Sequence, residues 1–140
     1  MNAVLENLTR AGVSIWLDDL TRTRITSGNL KELIDTMSVR GVTTNPSIFE
    51  GAIAGSVDAY ATQIASLAHN GVNAEQAVRL MTSDDVRSAC DIFSRVFKDS
   101  GGVDGRVSIE VDPRLARNTQ ATINEAQDLW NLVDRENLLI

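Results

Sequence analysis

The chain has few cysteine, histidine, proline and aromatic residues. The scarcity of cysteine and histidine excludes some kinds of bond and site. Its 140 residues include one cysteine, one histidine and two prolines, and aromatic residues make up 4%. A lone cysteine excludes an internal disulfide, and the apolar, helical setting of Cys90 predicts a core thiol rather than a nucleophile. His69 stands before Asn70 and Gly71, a pair that ends helices, so we expect it at the surface. No pattern of metal ligands is present, and no metal site is predicted.

Basic runs and long apolar runs are also missing. The net charge is −6, and the 13 lysines and arginines are spread along the chain. This balance argues against nucleic acid or an anionic membrane as a partner. No stretch approaches the roughly 20 apolar residues that span a bilayer, and the first ten residues do not form a secretory leader. We therefore expect a cytoplasmic protein with no nucleic-acid or membrane partner.

Short apolar runs alternate with segments of helical periodicity. Four runs predict strands, at residues 13–18, 42–45, 106–111 and 138–140, and the first three have one aliphatic face each. Helix-start signals predict helices that begin near Asn29, Ser56, Asn73, Ser83 and Asn118. Such alternation favours an α/β fold in which helical crossovers join parallel strands. No linker or repeat divides the chain, so a single folding unit is predicted.

Polar side chains lie on one face of three predicted strands, at the end of each. With a period of two, Asp18, Asn45 and Glu110 fall on the face opposite the aliphatic residues. In a closed (βα) barrel this face is the interior, and the active site lies at the carboxyl ends of the strands. Two carboxylates and an amide are enough for proton transfer to and from an organic substrate. A solvated or structural polar face fits the same pattern, so the residues alone leave both interpretations open.

Five other charged residues are predicted to face solvent or to cap helices. Arg22 and Arg24 follow the first strand, and a solvated loop is expected there, with a phosphate contact as the alternative. Asp19, Asp84 and Asp85 are expected to cap helices or to face water. None of the five is assigned a part in the chemistry.

Three segments carry a resemblance to a known family. They are SIWLDDL at residues 14–20, GVTTNPSIFEGAI at 41–53 and GRVSIEVDPRLA at 105–116. In order and spacing they resemble the transaldolases, in the form of the longer bacterial enzymes, and the resemblance covers essentially the whole chain. It implies an α/β fold that is the N-terminal half of a (βα)8 TIM barrel, with strands 1–3 and the start of strand 4. Residues 1–140 are then the N-terminal part of one barrel domain.

The resemblance also implies an activity. This is a class I, Schiff-base transfer of a dihydroxyacetone unit between sugar phosphates in the pentose phosphate pathway. The implied substrates are sedoheptulose 7-phosphate, fructose 6-phosphate, glyceraldehyde 3-phosphate and erythrose 4-phosphate. Neither a metal nor a cofactor is implied, because a protonated imine serves as the electron sink.

Four residues match the family's site positions. The resemblance implies that Asp18 is the carboxylate that takes the proton whose loss breaks the carbon–carbon bond. It implies that Asn45 binds a hydroxyl of the dihydroxyacetone unit, with Thr43 on the same inward face. Glu110 is implied to work with an ordered water while the imine forms and hydrolyses.

The sequence stops at residues 137–140, NLLI, and the family pattern places its lysine at the next position. We therefore expect these 140 residues alone to be inactive, with open sheet edges that favour self-association or a complementing chain. One alternative is a non-catalytic half-barrel that another chain completes. The other is a fructose 6-phosphate aldolase, which shares the barrel and the imine chemistry.

Overall fold

Short strands alternate with helices along the chain. The computed structural model describes residues 2–140. The helices are α1 Ala3–Arg10, α2 Arg22–Thr26, α3 Asn29–Met37, α4 Pro46–Gly55, α5 Val57–His69, α6 Ala74–Asp99 and α7 Thr119–Val133. The strands are β1 Ile15–Leu17, β2 Val39–Val42, β3 Arg106–Ser108 and β4 Leu138–Leu139, and a 3-10 turn covers Pro113–Leu115. Helices α1 and α2 have no counterpart among the predicted helices. In residues 2–140, no helix combines the length and the apolar character needed to cross a membrane.

The strands form one parallel sheet in the order β1-β2-β3-β4. Leu17 pairs with Val42, Val42 with Val107, and Val107 with Leu138, so one row of aliphatic residues crosses the sheet. Parallel strands in sequential order, joined by helices, are the arrangement of a barrel wall. The predicted α/β class, and its assignment to the N-terminal half of a TIM barrel, are confirmed.

The strands are shorter than predicted, and β2 is displaced. It was predicted at residues 42–45 and lies at Val39–Val42. The strand ends there because Asn45 already caps helix α4, whose first residue is Pro46. The chain nevertheless stays beside its neighbour past the end of β2, since the Thr43 N–H donates to the Leu17 carbonyl at 2.9 Å.

The predicted helix start at Ser83 is wrong. Ser83 is fully buried in the middle of α6, which runs without a break for 26 residues. Met81 and Val86 on either side are buried as well, so the apolar face of the helix continues through this point. Two other predicted starts are confirmed by side-chain caps: Asn73 accepts from the Gln76 N–H at 2.9 Å, and Asn118 caps α7.

The aliphatic face of the sheet packs under the helices. Val42 and Val107 are fully buried, and Ile109 is buried in the same core. The core draws its helical residues mainly from α3, α6 and α7, and these include Leu30, Ile34, Val86, Ala89, Cys90, Phe93, Leu129 and Val133. Val13, which was assigned to the first strand, is 45% exposed because β1 begins only at Ile15.

The start of β3 lies directly against α6. Gly105 has a φ of +76°, and a Cβ there would come within 2.7 Å of the Phe97 Cα and 2.9 Å of the Phe93 carbonyl oxygen. The buried Asn137 amide donates to the Gly105 carbonyl at 2.8 Å and to the Cys90 carbonyl at 2.9 Å. Glycine is therefore required at position 105, both for its conformation and for the close approach of two backbones.

Candidate active site

Asp18 and Thr43 meet at the ends of the adjacent strands β1 and β2. The register of these strands pairs Leu17 with Val42, which brings the next residue of each strand together. The Thr43 hydroxyl donates to Asp18 Oδ1 at 2.6 Å. Asp18 is exposed and Thr43 half-buried, so the pair is accessible at the surface of the described chain.

The polar strand-end residues lie opposite the helical core. Beyond β2, Thr44 is buried, and its hydroxyl donates to the Ser108 carbonyl at 2.6 Å. Thr43 and Asn45, on either side of it, are only half-buried. Residues after β3 alternate in the same way, since Ile109 is buried and Glu110 is exposed. This period of two sets Thr43, Asn45 and Glu110 apart from the buried side chains of Thr44 and Ile109.

Asn45 has both a structural contact and an available amide. Its Oδ1 accepts from the Ile48 N–H at 2.9 Å and thereby caps helix α4. Pro46 follows at the first helical position, where its missing N–H is not needed. This cap fixes the orientation of the side chain. Within residues 2–140, the Nδ2 group of Asn45 has no hydrogen-bond partner, so it can donate to a ligand.

Glu110 shares a groove with Asn45. The groove has a volume of about 1130 Å³ and lies between α4, α6, the 3-10 turn and α7. Its floor includes Phe49 and Ile109, and Asp18 and Thr43 do not line it. The structure thus brings the predicted site residues together as two pairs. Asp18 is joined to Thr43 by a hydrogen bond, and Asn45 and Glu110 border one groove.

A charged cluster that the sequence did not indicate lies on the rim of this groove. Arg114 donates to both oxygens of Asp112, with Nε at 2.7 Å from Oδ2, and also pairs with Glu75 at the start of α6. These hydrogen bonds lower the pKa of Asp112 and raise that of Arg114. The turn after β3 is therefore tied to α6, although nothing in the sequence indicates this pairing, because Glu75 and Arg114 are 39 positions apart.

The predictions for the charged residues after β1 are partly wrong. Arg22 is not in a solvated loop, because its Nε lies 2.7 Å from Oδ1 of Asp85. Asp85 does not cap a helix or face water, since it is 3% exposed on the inner side of α6. Arg24 is half-buried and pairs with Asp19 at 2.5 Å. Neither arginine is turned toward the groove that Asn45 and Glu110 border.

The remaining candidates have structural roles. Cys90 is fully buried, and burial raises the pKa of its thiol to about 12, which confirms the interpretation as a core thiol. His69 is the exposed last residue of α5, as predicted. Among residues 2–140, no three His, Cys, Asp or Glu side chains come together in a group that could hold a metal ion.

Comparison with known proteins identifies the family. The family model described as transaldolase/fructose-6-phosphate aldolase matches residues 15–140. The chain belongs to this family. The match covers all four strands of this transaldolase-family chain and the strand-end residues Asp18, Thr43, Asn45 and Glu110.

Curated relatives named transaldolase match nearly the whole chain. The protein of Mycobacterium marinum is 58% identical over 139 residues, which are 99% of this chain and 37% of the relative. That of Mycobacterium ulcerans is 59% identical over 136 residues, 97% of this chain and 36% of the relative. That of Mycobacterium tuberculosis is 58% identical over 139 residues. The transaldolase-family chain therefore spans little more than a third of the length of these relatives.

Proposed function

We propose that this chain is part of a transaldolase that transfers a dihydroxyacetone unit between sugar phosphates. The observation that carries the proposal is the Thr43–Asp18 hydrogen bond at adjacent strand ends, in a chain 58% identical to a protein named transaldolase. Asn45 and Glu110, which border one groove, supply further polar groups. In this proposal residues 1–140 are the N-terminal part of a single barrel domain.

The proposed chemistry proceeds through a Schiff base on a lysine that the family pattern places directly after Ile140. The amine attacks the ketose carbonyl, and loss of water gives a protonated imine. Asp18 takes the proton of the hydroxyl two carbons from the imine carbon. The electrons of the carbon–carbon bond then move into the imine, which leaves an enamine and releases an aldehyde. Because the imine is the electron sink, no metal or cofactor is part of this proposal.

The second half of the cycle reverses these steps on another aldehyde. The enamine attacks the carbonyl carbon of the acceptor, and Asp18 returns its proton to the new hydroxyl. Glu110, acting through a water molecule, assists loss of water when the imine forms and addition of water when it hydrolyses. Proton transfers of this kind require groups within hydrogen-bond reach of the reacting atoms, which the uncovered side of the sheet can provide.

Thr43 and Asn45 orient the reacting groups in this proposal. Thr43 occupies one oxygen of Asp18, which leaves the other to accept the substrate proton. The Asn45 Oδ1 is used by the cap on α4, so its Nδ2 donates to a hydroxyl of the dihydroxyacetone unit. Both contacts are pre-formed before substrate arrives, which lowers the cost of binding in the reactive geometry.

The proposed substrates are sedoheptulose 7-phosphate and fructose 6-phosphate as donors, with glyceraldehyde 3-phosphate and erythrose 4-phosphate as acceptors. The reaction would belong to the pentose phosphate pathway in the cytoplasm. The groups that bind phosphate are assigned to residues outside this chain, because Arg22 and Arg24 are engaged in ion pairs.

A second candidate is a fructose 6-phosphate aldolase, because the family description includes that activity. It would release dihydroxyacetone instead of transferring it. Helix α1 before the first strand and the three helices between β2 and β3 favour the transferase. Cleavage of fructose 6-phosphate measured with and without an acceptor aldehyde separates the two, since a transferase turns over only when the acceptor is present.

Trapping tests the proposal in the full-length polypeptide. Incubation with fructose 6-phosphate and borohydride should add one reduced dihydroxyacetone unit to the lysine after Ile140, which peptide mass spectrometry can locate. Borohydride without the sugar is the control. The absence of an adduct, or an adduct confined to another lysine, would reject the proposed Schiff-base site.

A further inference from the structure

A buried polar cluster lies outside the candidate site. Its centre is Asp85 on α6, which is 3% exposed. Arg22 Nε donates to Asp85 Oδ1 at 2.7 Å, and the Tyr60 hydroxyl donates to Oδ2 at 2.7 Å. The Arg22 guanidinium also lies 4.2 Å from the centre of the Tyr60 ring and donates to the Met81 carbonyl at 3.3 Å. Each member of the cluster therefore contacts the other two.

The cluster joins three helices through residues that are 25 or more positions apart in sequence. Arg22 is the first residue of α2, Tyr60 lies in α5 and Asp85 in α6. Burial raises the pKa of Asp85, and the hydrogen bonds from Arg22 and Tyr60 oppose that shift. A buried carboxylate held by two directional donors tolerates little displacement of either, because a lost donor leaves a desolvated oxygen unpaired.

Arg22 follows Asp18 by four residues, so the cluster fixes one end of the segment that carries the proposed base. Helix α2 has only five residues, which is too short to be stable without tertiary contacts. The ion pair between Arg24 and Asp19 lies within this segment, and Arg24 also donates to Asn29 at the start of α3. Leu20, which is fully buried, and Ile25 pack against the core. Arg22 attaches the segment to α6 through directional hydrogen bonds to Asp85 and to the Met81 carbonyl.

We propose that Asp85, together with Tyr60, is a positioning residue for the Asp18 carboxylate and acts through Arg22. This inference rests on the proposed function, in which Asp18 is the base for carbon–carbon cleavage. The cluster holds the segment after β1 so that Asp18 stays at hydrogen-bond distance from Thr43 and in line with the substrate hydroxyl. It takes no part in forming the imine, which depends on other residues.

The two single-residue variants Tyr60→Phe and Asp85→Asn test this in the full-length polypeptide. Each is expected to slow single-turnover cleavage of fructose 6-phosphate by about 10-fold to 10²-fold. The upper value is the loss of rate that a misplacement of about 1 Å causes. The rate at which borohydride traps the imine should stay within about twofold of the parent. If the cluster only stabilises the fold, the variants should lower the cleavage rate and the trapping rate together. At a temperature well below unfolding, they should lower neither rate.

Gln63→Ala is the matched control. Gln63 also connects α5 to α6, through a 2.6 Å hydrogen bond to Asp84, but it makes no hydrogen bond to the segment after β1. Its cleavage rate should equal that of the parent. Should Asp85→Asn fail to fold, Tyr60→Phe decides alone, because it removes one hydroxyl and keeps the ring beneath Arg22.

The outcomes separate this inference from the proposed function. Failure to trap any adduct on the parent would reject the proposed function itself. If the adduct forms on the parent and Tyr60→Phe cleaves at a rate within twofold of the parental rate, only the positioning role is rejected. An equal loss of cleavage in Gln63→Ala would reject it as well, and a selective loss in the cluster variants would support it.

Discussion

Thr43 contacts two consecutive residues of the first strand's end: its N–H donates to the Leu17 carbonyl at 2.9 Å, and its hydroxyl to Asp18 Oδ1 at 2.6 Å. The backbone hydrogen bond fixes the position of Thr43 beside β1. The side-chain hydrogen bond then fixes the Asp18 carboxylate relative to the Thr43 hydroxyl. Within the part of the chain that the structure describes, Asp18 Oδ2 accepts no hydrogen bond. A carboxylate fixed through one oxygen and open at the other suits a general base.

Replacing this carboxylate should separate two steps of the proposed reaction. We expect Asp18→Ala to abolish carbon–carbon cleavage in the full-length polypeptide while imine trapping by borohydride remains measurable. The loss should be about 10²–10⁴-fold, the usual effect of a general base. Asp35→Ala, which removes an exposed carboxylate on α3, is the control. Parental turnover by Asp18→Ala would show that another group is the base.

A change at Glu110 should affect the other step. Glu110→Gln keeps the size of this exposed side chain but removes its capacity to exchange protons. We expect slower formation and hydrolysis of the imine, seen as a slower approach to full trapping. Cleavage of an imine that has already formed should proceed at the parental rate in a single-turnover experiment. Loss of cleavage with normal trapping would contradict the role assigned to Glu110.

The close approach at Gly105 predicts a loss of stability that can be compared with a matched glycine. In Gly105→Ala, the left-handed φ should lower the free energy of unfolding by about 1–2 kcal/mol. The overpacked contact against α6 should lower it by about 1–3 kcal/mol more. Gly28 has a similar φ of +80°, but a Cβ there would meet nothing within 4 Å. Thermal unfolding of the full-length variants should therefore show a clearly larger loss for Gly105→Ala. Equal losses would mean that the contact with α6 relaxes without cost.

Burial of the Cys90 thiol predicts a pH dependence. Burial raises its pKa from an ordinary value of 9.0 to about 12. The folded state then holds the thiol proton more tightly than the unfolded state, so this group's contribution to stability is complete below pH 9 and is lost as the pH rises toward 12. At pH 8, alkylation of the Cys90 peptide should be slow in the native protein and fast in denaturant. Equal rates would contradict a core position.

Residues 1–140 expressed alone should be inactive and should associate. Strands β1 and β4 are the edges of the sheet, and their unpaired backbone groups favour contact with other chains. No trapped adduct is expected on this species, because the proposed lysine lies outside it. Intact mass and analytical ultracentrifugation establish its length and its association state. Turnover by a verified 140-residue species would show that the nucleophile is elsewhere, and a stable complex with a second chain would favour the half-barrel alternative.

Periodicity in the sequence was sufficient for the strand faces. The alternation of aliphatic and polar residues around Val42 and Val107 correctly separated the buried side from the uncovered side. It could not fix where each strand ends, because the end of β2 depends on the cap that Asn45 provides for α4. The same residue types extend on both sides of that boundary.

Long-range polar pairs could not be predicted. The ion pair between Arg22 and Asp85 joins residues 63 positions apart, and neither has a local signal that distinguishes it from a solvated charge. At Ser83 a local signal was present but misleading. The serine and the two aspartates after it resemble a helix start, whereas the apolar face of α6 that continues through them decides the structure.

The unbroken length of α6 has a consequence for synthesis of the chain. This helix packs against α2, α3, α5 and α7 and against the two middle strands, β2 and β3. A ribosome that adds roughly 5–20 residues per second needs roughly 3–11 s to proceed from Val42 to Asp99. During that interval β2 is already synthesised, while the helix that packs against it is still incomplete. The nascent chain therefore exposes an apolar surface for seconds, which is a target for ribosome-associated chaperones.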